Sequence, residues 1–244
     1  DWNTAVGYKA MENNTNGVSN VAFGSGSLRY NNAGSNATAI GTGAMQNANN
    51  TTTAFDNKNV AIGYQSLMGS TILANNTGNG NTAIGYQALL NNADGRDNVA
   101  IGKECMTANT SGFENVAIGI ECLKQNTWGY GNVAIGIKAL SASTSGGSNI
   151  AIGLSALTNN TGNVNIAIGD NTLGQNTTGD HNVAIGDGGL GGNEVGKDNV
   201  AIGSLSYYGN KAGSKGVAIG TGAMRYANNT TTAFDNKNVA IGYQ

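Results

Sequence analysis

The sequence predicts an all-β fold, a parallel β-solenoid (β-roll) of about fourteen 17-residue coils, and three observations predict it. A pentapeptide close to Asn-Val-Ala-Ile-Gly occurs fourteen times. Its glycines, from Gly7 to Gly242, are separated by nine intervals of 17 residues, one of 16 and three of 22. Between the motifs the chain is dominated by Asn, Thr, Ser and Gly, which favour turns. A fixed period with occasional insertions is how a stack of coils with a few longer loops reads. Each coil buries its apolar side only against its neighbours.

Each part of the coil follows from its column, with positions counted from the motif glycine. β-Branched residues at −3 and −1 share one face of a short strand, because side chains alternate along an extended chain. A helix is a poor reading, since the apolar run is short and punctuated by Gly and Asn. Position +4 is a large apolar residue in every complete copy, which predicts a second segment after the bend. Filling one narrow core with the −1 and +4 columns buries Ile62, Ile84, Ile101, Ile118 and Ile135 with Leu89, Leu123 and Leu140. Ala at −2 in all fourteen copies, followed by Gly at 0, implies that another backbone approaches closely. That neighbour is either the far wall of the same thin coil or another chain. Since the other two columns already account for a core, the expectation is an interchain contact at Ala100, Ala117 and Ala134 with Gly102, Gly119 and Gly136. Asn at −4, in twelve copies, predicts a ladder of amides along one corner. Ala37 and Gly216 stand in place of the other two.

At these residues the chain resembles the YadA-like head repeats of trimeric autotransporter adhesins, whose signature is also Asn-x-Val-Ala-Ile-Gly. It is similar, too, to the repeat region of tail-fibre-domain proteins, on Asn-Thr-Ala-Ile-Gly-Tyr-Gln-Ala-Leu at 81–89. The resemblance covers all fourteen coils and implies a left-handed, homotrimeric solenoid exposed on a cell or virion surface. Adhesin heads repeat near 14 residues, whereas this chain needs 17 or 22. A longer period is this chain's own: residues 41–65 and 220–244 match at 23 of 25 positions, 179 residues apart. The expectation is a single repeat domain over 1–244, a window of a longer repetitive chain.

Composition narrows the function. Of 244 residues 39 are Gly, none is Pro and 11% are charged, with a net charge of −2. Without a Gly-X-Y period or Pro, collagen is excluded, and there is no basic footprint for nucleic acid or for an anionic membrane surface. With one His and no placed Ser/His/Asp set, the expectation is no enzyme, no catalytic residue and no cofactor. No metal site is expected either, although Asp94, Asp97, Asp180 and Asp198 in Gly-rich turns leave weak calcium ligation open. Cys105 and Cys122 occupy the same coil position one period apart, so they are either small core residues or a disulfide between coils. Ten sequons, at Asn13, Asn36, Asn49, Asn50, Asn75, Asn109, Asn159, Asn176, Asn228 and Asn229, fall in turns and are candidate glycosylation sites. The 22-residue coils carry Phe55 and Phe234 inside polar loops, which either fold back on their own chain or meet another.

Three function classes follow. The first is an extracellular structural fibre or stalk mediating surface attachment, its partners being copies of itself and a host or surface glycan or receptor. The second is a self-assembling extracellular filament. The third is an ice- or glycan-binding solenoid, for which the sequence lacks a regular Thr array and ranked exposed aromatics. Membrane insertion is not expected, since no run of 18 apolar residues is present.

Overall fold

The computed structural model describes residues 2–48, 51–72, 76–226 and 230–244. The chain divides into two compact units, Asp1–Gly129 and Tyr130–Gln244. Among the described residues there is no helix, and each unit is a β-solenoid of stacked coils.

In the first unit the strands are β1 (Thr4–Val6), β2 (Val21–Phe23), β3 (Gly34–Ser35), β4 (Thr38–Ile40), β5 (Phe55–Asp56), β6 (Val60–Ile62), β7 (Thr82–Ile84), β8 (Val99–Ile101) and β9 (Val116–Ile118). All but β3 and β5 stack in parallel in chain order, with like residues in register: Ala83 on Ala100, Ala100 on Ala117. The second unit repeats this with β10 (Val133–Ile135), β11 (Ile150–Ile152), β12 (Ile166–Ile168), β13 (Val183–Ile185), β14 (Val200–Ile202), β15 (Gly213–Ser214), β16 (Val217–Ile219), β17 (Phe234–Asp235) and β18 (Val239–Ile241). The short pairs β3–β5 and β15–β17 belong to the coils with 22-residue spacing. There Phe55 lies against Gly34, where an added Cβ would sit 2.7 Å from its ring, and Phe234 lies against Gly213. Both phenylalanine rings therefore lie against their own chain.

The core is the reverse of the expected one on the strand and as expected on the far wall. Leu89, Leu123 and Leu140 are fully buried. The isoleucines are not: Ile62 and Ile118 are each 37% exposed, and Ile84, Ile101 and Ile135 are half-buried. It is Ala at −2 that points inward, with Ala100, Ala117 and Ala134 at 0% exposure. The reason is the thinness of the coil. Position +3 lies directly opposite the strand, so a Cβ added at Gly189 would sit 3.8 Å from the Ala184 Cβ. A small wall facing a small wall leaves the remaining space to the +4 residue, and an inward isoleucine would have nowhere to go. The close neighbour inferred from the tiny side chains is thus the coil's own far wall, and the alanines make no contact with another chain.

The motif glycines answer to the same cause. Gly102 has φ +133° and a Cβ there would lie 2.1 Å from the Gly119 carbonyl oxygen; at Gly136, φ is +129° and Gly153 O would be 2.6 Å away. Gly119 shares this backbone at φ +136°. Stacked glycine backbones from successive coils occupy the space, so this column too is intrachain.

The tight winding carries conformational cost. Residues at −5, +2 and +4 adopt left-handed φ, including the buried Leu89, Leu123 and Leu140 near +50°. Each such non-glycine residue costs about 1–2 kcal/mol, which burial of the +4 side chain offsets at roughly 1.5–3 kcal/mol.

Two amide ladders complete the interior. In the −4 column, Asn98 donates from its backbone N–H (3.0 Å) and its Nδ2 (3.1 Å) to Asn81 Oδ1, and Asn115 repeats both bonds onto Asn98. The same Nδ2 reaches Gly112 O at 2.8 Å, tying the two ends of the coil together. A second ladder, absent from the expectations, runs at +7: Asn109 Nδ2 donates to Asn92 Oδ1 at 2.6 Å and Asn126 Nδ2 to Asn109 Oδ1 at 2.8 Å. A glycine column at +10 accepts from both ladders, and a Cβ at Gly112 would meet Asn109 Oδ1 at 2.3 Å. Where the +7 asparagine is replaced by Ala48, Asn31 Oδ1 has no partner. Nearby a cavity of about 20 Å³ opens among Asn47, Asn57, Asn59, Asn76 and Asn92, room for one water.

Candidate functional site: an outward apolar face

With Ala turned inward, the alternation of the strand turns −3 and −1 outward. Every coil therefore shows a β-branched or aromatic pair to solvent, and the −3 and −1 columns contain no charged residue in the whole sequence. In the first unit this surface runs from Val21 and Phe23 to Ile62 and Ile118; in the second it includes Ile168, Ile185 and Ile202. Single exposed apolar side chains are ordinary, but a contiguous ribbon of them marks an interaction site.

Two columns border the ribbon. On one side, position +1 presents Tyr64, Tyr86 and Ile120 in the first unit, and Ile137 and Leu154 in the second, all 43–47% exposed. Tyr64 and Tyr86 stack with centroids 5.5 Å apart. On the other side, position −5 is mostly polar, with Trp2 and Val164 as exposed apolar exceptions. In the two coils where one border carries an acidic and the other a basic residue, the pairs are Asp97 with Lys103 and His181 with Asp187. The −5 residue owes its outward aim to a left-handed backbone, φ +54° at Asp97 and +57° at His181.

Other charged groups pair up and down the stack. Glu12 takes Arg29 at 2.6 Å, Lys124 bridges Glu104 (2.7 Å) and Glu121 (3.2 Å), and Lys197 takes Asp180 at 2.7 Å. At Asp180, partial burial raises the carboxyl, yet the bonds from Lys197 and the Asn163 N–H outweigh it and the net shift is downward. The hydrogen bond from Arg29 likewise lowers Glu12.

The remaining candidates distribute as follows. Asp94, Asp97 and Asp198 are exposed in separate coils, and no group of three or more His, Cys, Asp or Glu is placed to hold a metal among the described residues. Cys105 and Cys122 are buried, and no disulfide joins them in this structure. Asn109 and Asn176 are rungs of the +7 ladder with no exposure, so these two sequons cannot carry a glycan in the folded coil. Asn36 and Asn159 are exposed and Asn13 is half-buried. Asn49, Asn50, Asn75, Asn228 and Asn229 lie outside the described residues. No helix among the described residues is long and apolar enough to cross a membrane.

No family model, curated protein or solved structure matches the chain.

Proposed function

We propose that this chain is a structural segment of an extracellular fibre or stalk, built by burying its outward Val/Ile face against copies of itself in a left-handed homotrimer, and serving surface attachment without catalysis. The observation that carries the reading is the uncharged ribbon at −3 and −1, repeated coil after coil. A face with this pitch is matched at every step by another copy of the same solenoid. Burying what remains exposed of each isoleucine is worth roughly 0.5–1 kcal/mol, which accumulates along the stack to the scale of a stable assembly.

The borders favour parallel copies in register. Placed side by side at equal height, the −5 border of one copy meets the +1 border of the next, which sets Asp97 against a neighbouring Lys103 and His181 against a neighbouring Asp187. An antiparallel arrangement would set −5 against −5 and lose both pairs. The resemblance to trimeric adhesin heads and to tail-fibre repeats supplies the trimer, the handedness and the surface location.

Native mass measurement tests the proposal directly. The wild type is expected as a dilution-stable trimer, and Ile101→Lys/Ile118→Lys as a monomer with unchanged β-sheet circular dichroism. A wild type that is monomeric at all concentrations overturns it.

A further inference from the structure

We infer that Cys105 and Cys122 form a vertical disulfide between adjacent coils, closed while the chain folds and sealed by the completed core. These are the two cysteines of the chain, and both stand at +3. Only a residue one coil up or one coil down could meet the first in this column. The neighbouring coils fill the same position with Ala88 and Ala139, so a small apolar side chain is all that packing asks for there.

The stacking brings the pair within bridging range. Ala100 stands on Ala117 and Ile101 on Ile118. Beyond the bend the Glu121 N–H donates to Lys103 O at 3.0 Å, and the Met106 N–H to Cys122 O at 3.0 Å. The two cysteines are thus held in the same register, one coil rise of about 4.8 Å apart, inside the Cα separations of about 4.4–6.8 Å that a disulfide spans. Cys105 Sγ already leans toward the later coil, lying 3.2 Å from the Ala117 carbonyl oxygen. Cys122 Sγ turns back to Ile118 O at 3.4 Å.

The surroundings set the timing. Both residues have no exposure, and the Cys105 thiol is pushed far up, first by its hydrogen bond with the Cys122 thiol and then by burial. Exchange needs a thiolate and access, and the finished core denies both. During folding a thiolate of one cysteine attacks the sulfur–sulfur bond of oxidised glutathione and releases one glutathione thiol. The second cysteine then attacks the cysteinyl sulfur of the mixed disulfide and releases the other. Two protein thiols and one glutathione disulfide become one protein disulfide and two glutathione thiols, with electrons and protons balanced.

The test compares two routes to the same buffer. Chain folded under reducing conditions and then given oxidised glutathione is expected to keep two titratable thiols after denaturation. Chain unfolded and refolded with reduced and oxidised glutathione is expected to lose 2 Da, show no titratable thiol in denaturant, and gain denaturant resistance that dithiothreitol abolishes only after unfolding. Cys122→Ala, which copies the alanine of neighbouring coils, is expected to fold and to show neither the mass loss nor the gain. Refolded wild type that keeps two thiols or carries glutathione adducts overturns the disulfide. Equally rapid closure in the prefolded chain overturns the timing.

Discussion

Tyr207 and Gly216 depart from their columns together, and the departure is compensatory. Tyr207 stands at +4, where the other complete coils carry Leu or Met, and Gly216 stands at −4 of the next coil, where Asn is the rule. The tyrosine ring is fully buried, and a Cβ added at Gly216 would lie 2.3 Å from its hydroxyl oxygen and 2.5 Å from Cε1. The phenol has taken the volume of the missing amide, and its hydroxyl accepts from Asn236 Nδ2. Only one rung of the ladder survives there, from the Gly216 N–H to Asn199 Oδ1 at 3.0 Å. Gly216→Asn alone drives a side chain into the ring at about 1–3 kcal/mol or more. Tyr207→Leu alone leaves a gap and removes the partner of Asn236, at about 2–4 kcal/mol. The double variant recreates the Leu190–Asn199 arrangement one coil earlier and is expected within about 1 kcal/mol of wild type, a coupling of about 2–7 kcal/mol. Urea unfolding followed by circular dichroism, on all four corners of the cycle, reads it. Additive losses would refute the compensation and with it the assignment of +4 and −4 to one shared volume.

The inward Ala column predicts that Ala117→Leu overpacks the coil at about 1–3 kcal/mol, visible as a lowered melting temperature. Ile118→Ser, losing a side chain only partly buried, should lower the melting temperature of an isolated chain less than Ala117→Leu does, and the opposite order would restore the rejected core. Asn98→Ala removes one of the two donors to Gly112 O, one of the two donors to Asn81 Oδ1 and the acceptor of the Asn115 N–H, so unfolding measurements should show a loss of about 3–5 kcal/mol. Gly102→Ala adds left-handed strain to a 2.1 Å clash with backbone and should cost about 3 kcal/mol or more by the same assay. Glu12, Glu104, Asp180 and Asp235 are all lowered by their basic partners in the folded state. Their contribution is therefore present above the ordinary carboxylate values of 3.8 and 4.5 and is lost as pH falls through the lower folded values, a decline that an acid titration of stability should show and 1 M salt should flatten. Burial raises the Tyr207 phenol, so its share is intact below pH 10.0 and lost as pH climbs through the higher folded value. Tyr207→Leu/Gly216→Asn should remove that alkaline limb.

Column regularity made the stack, the strands, the bends at glycine and the Leu wall legible, because each depends only on what recurs at a fixed offset. The facing of the strand was not legible from hydrophobicity. Val and Ile look like a core and Ala like a surface until the width of the coil is known, and that width is set by left-handed residues such as Leu89 and Leu123, a backbone choice that leucine does not advertise. The +7 asparagines and +10 glycines were open to the same column reading that found the −4 ladder. Asn109 and Gly112 recur in most coils, less strictly than Asn98, and they sit in stretches whose composition reads as turn. Turn chemistry and ladder chemistry use the same residues; what separates them is periodic recurrence against burial. The consequence for function is direct. A solenoid whose interior is closed by alanine, leucine and amides needs no isoleucine inside, and fourteen coils that nevertheless hold a β-branched or aromatic residue at −1 have kept it for the surface. On a free chain that surface is a liability to solubility; in the assembly proposed above it would be the source of cohesion. The core belongs to the alanines first assigned to an interface, and the outward face to the isoleucines first assigned to the core.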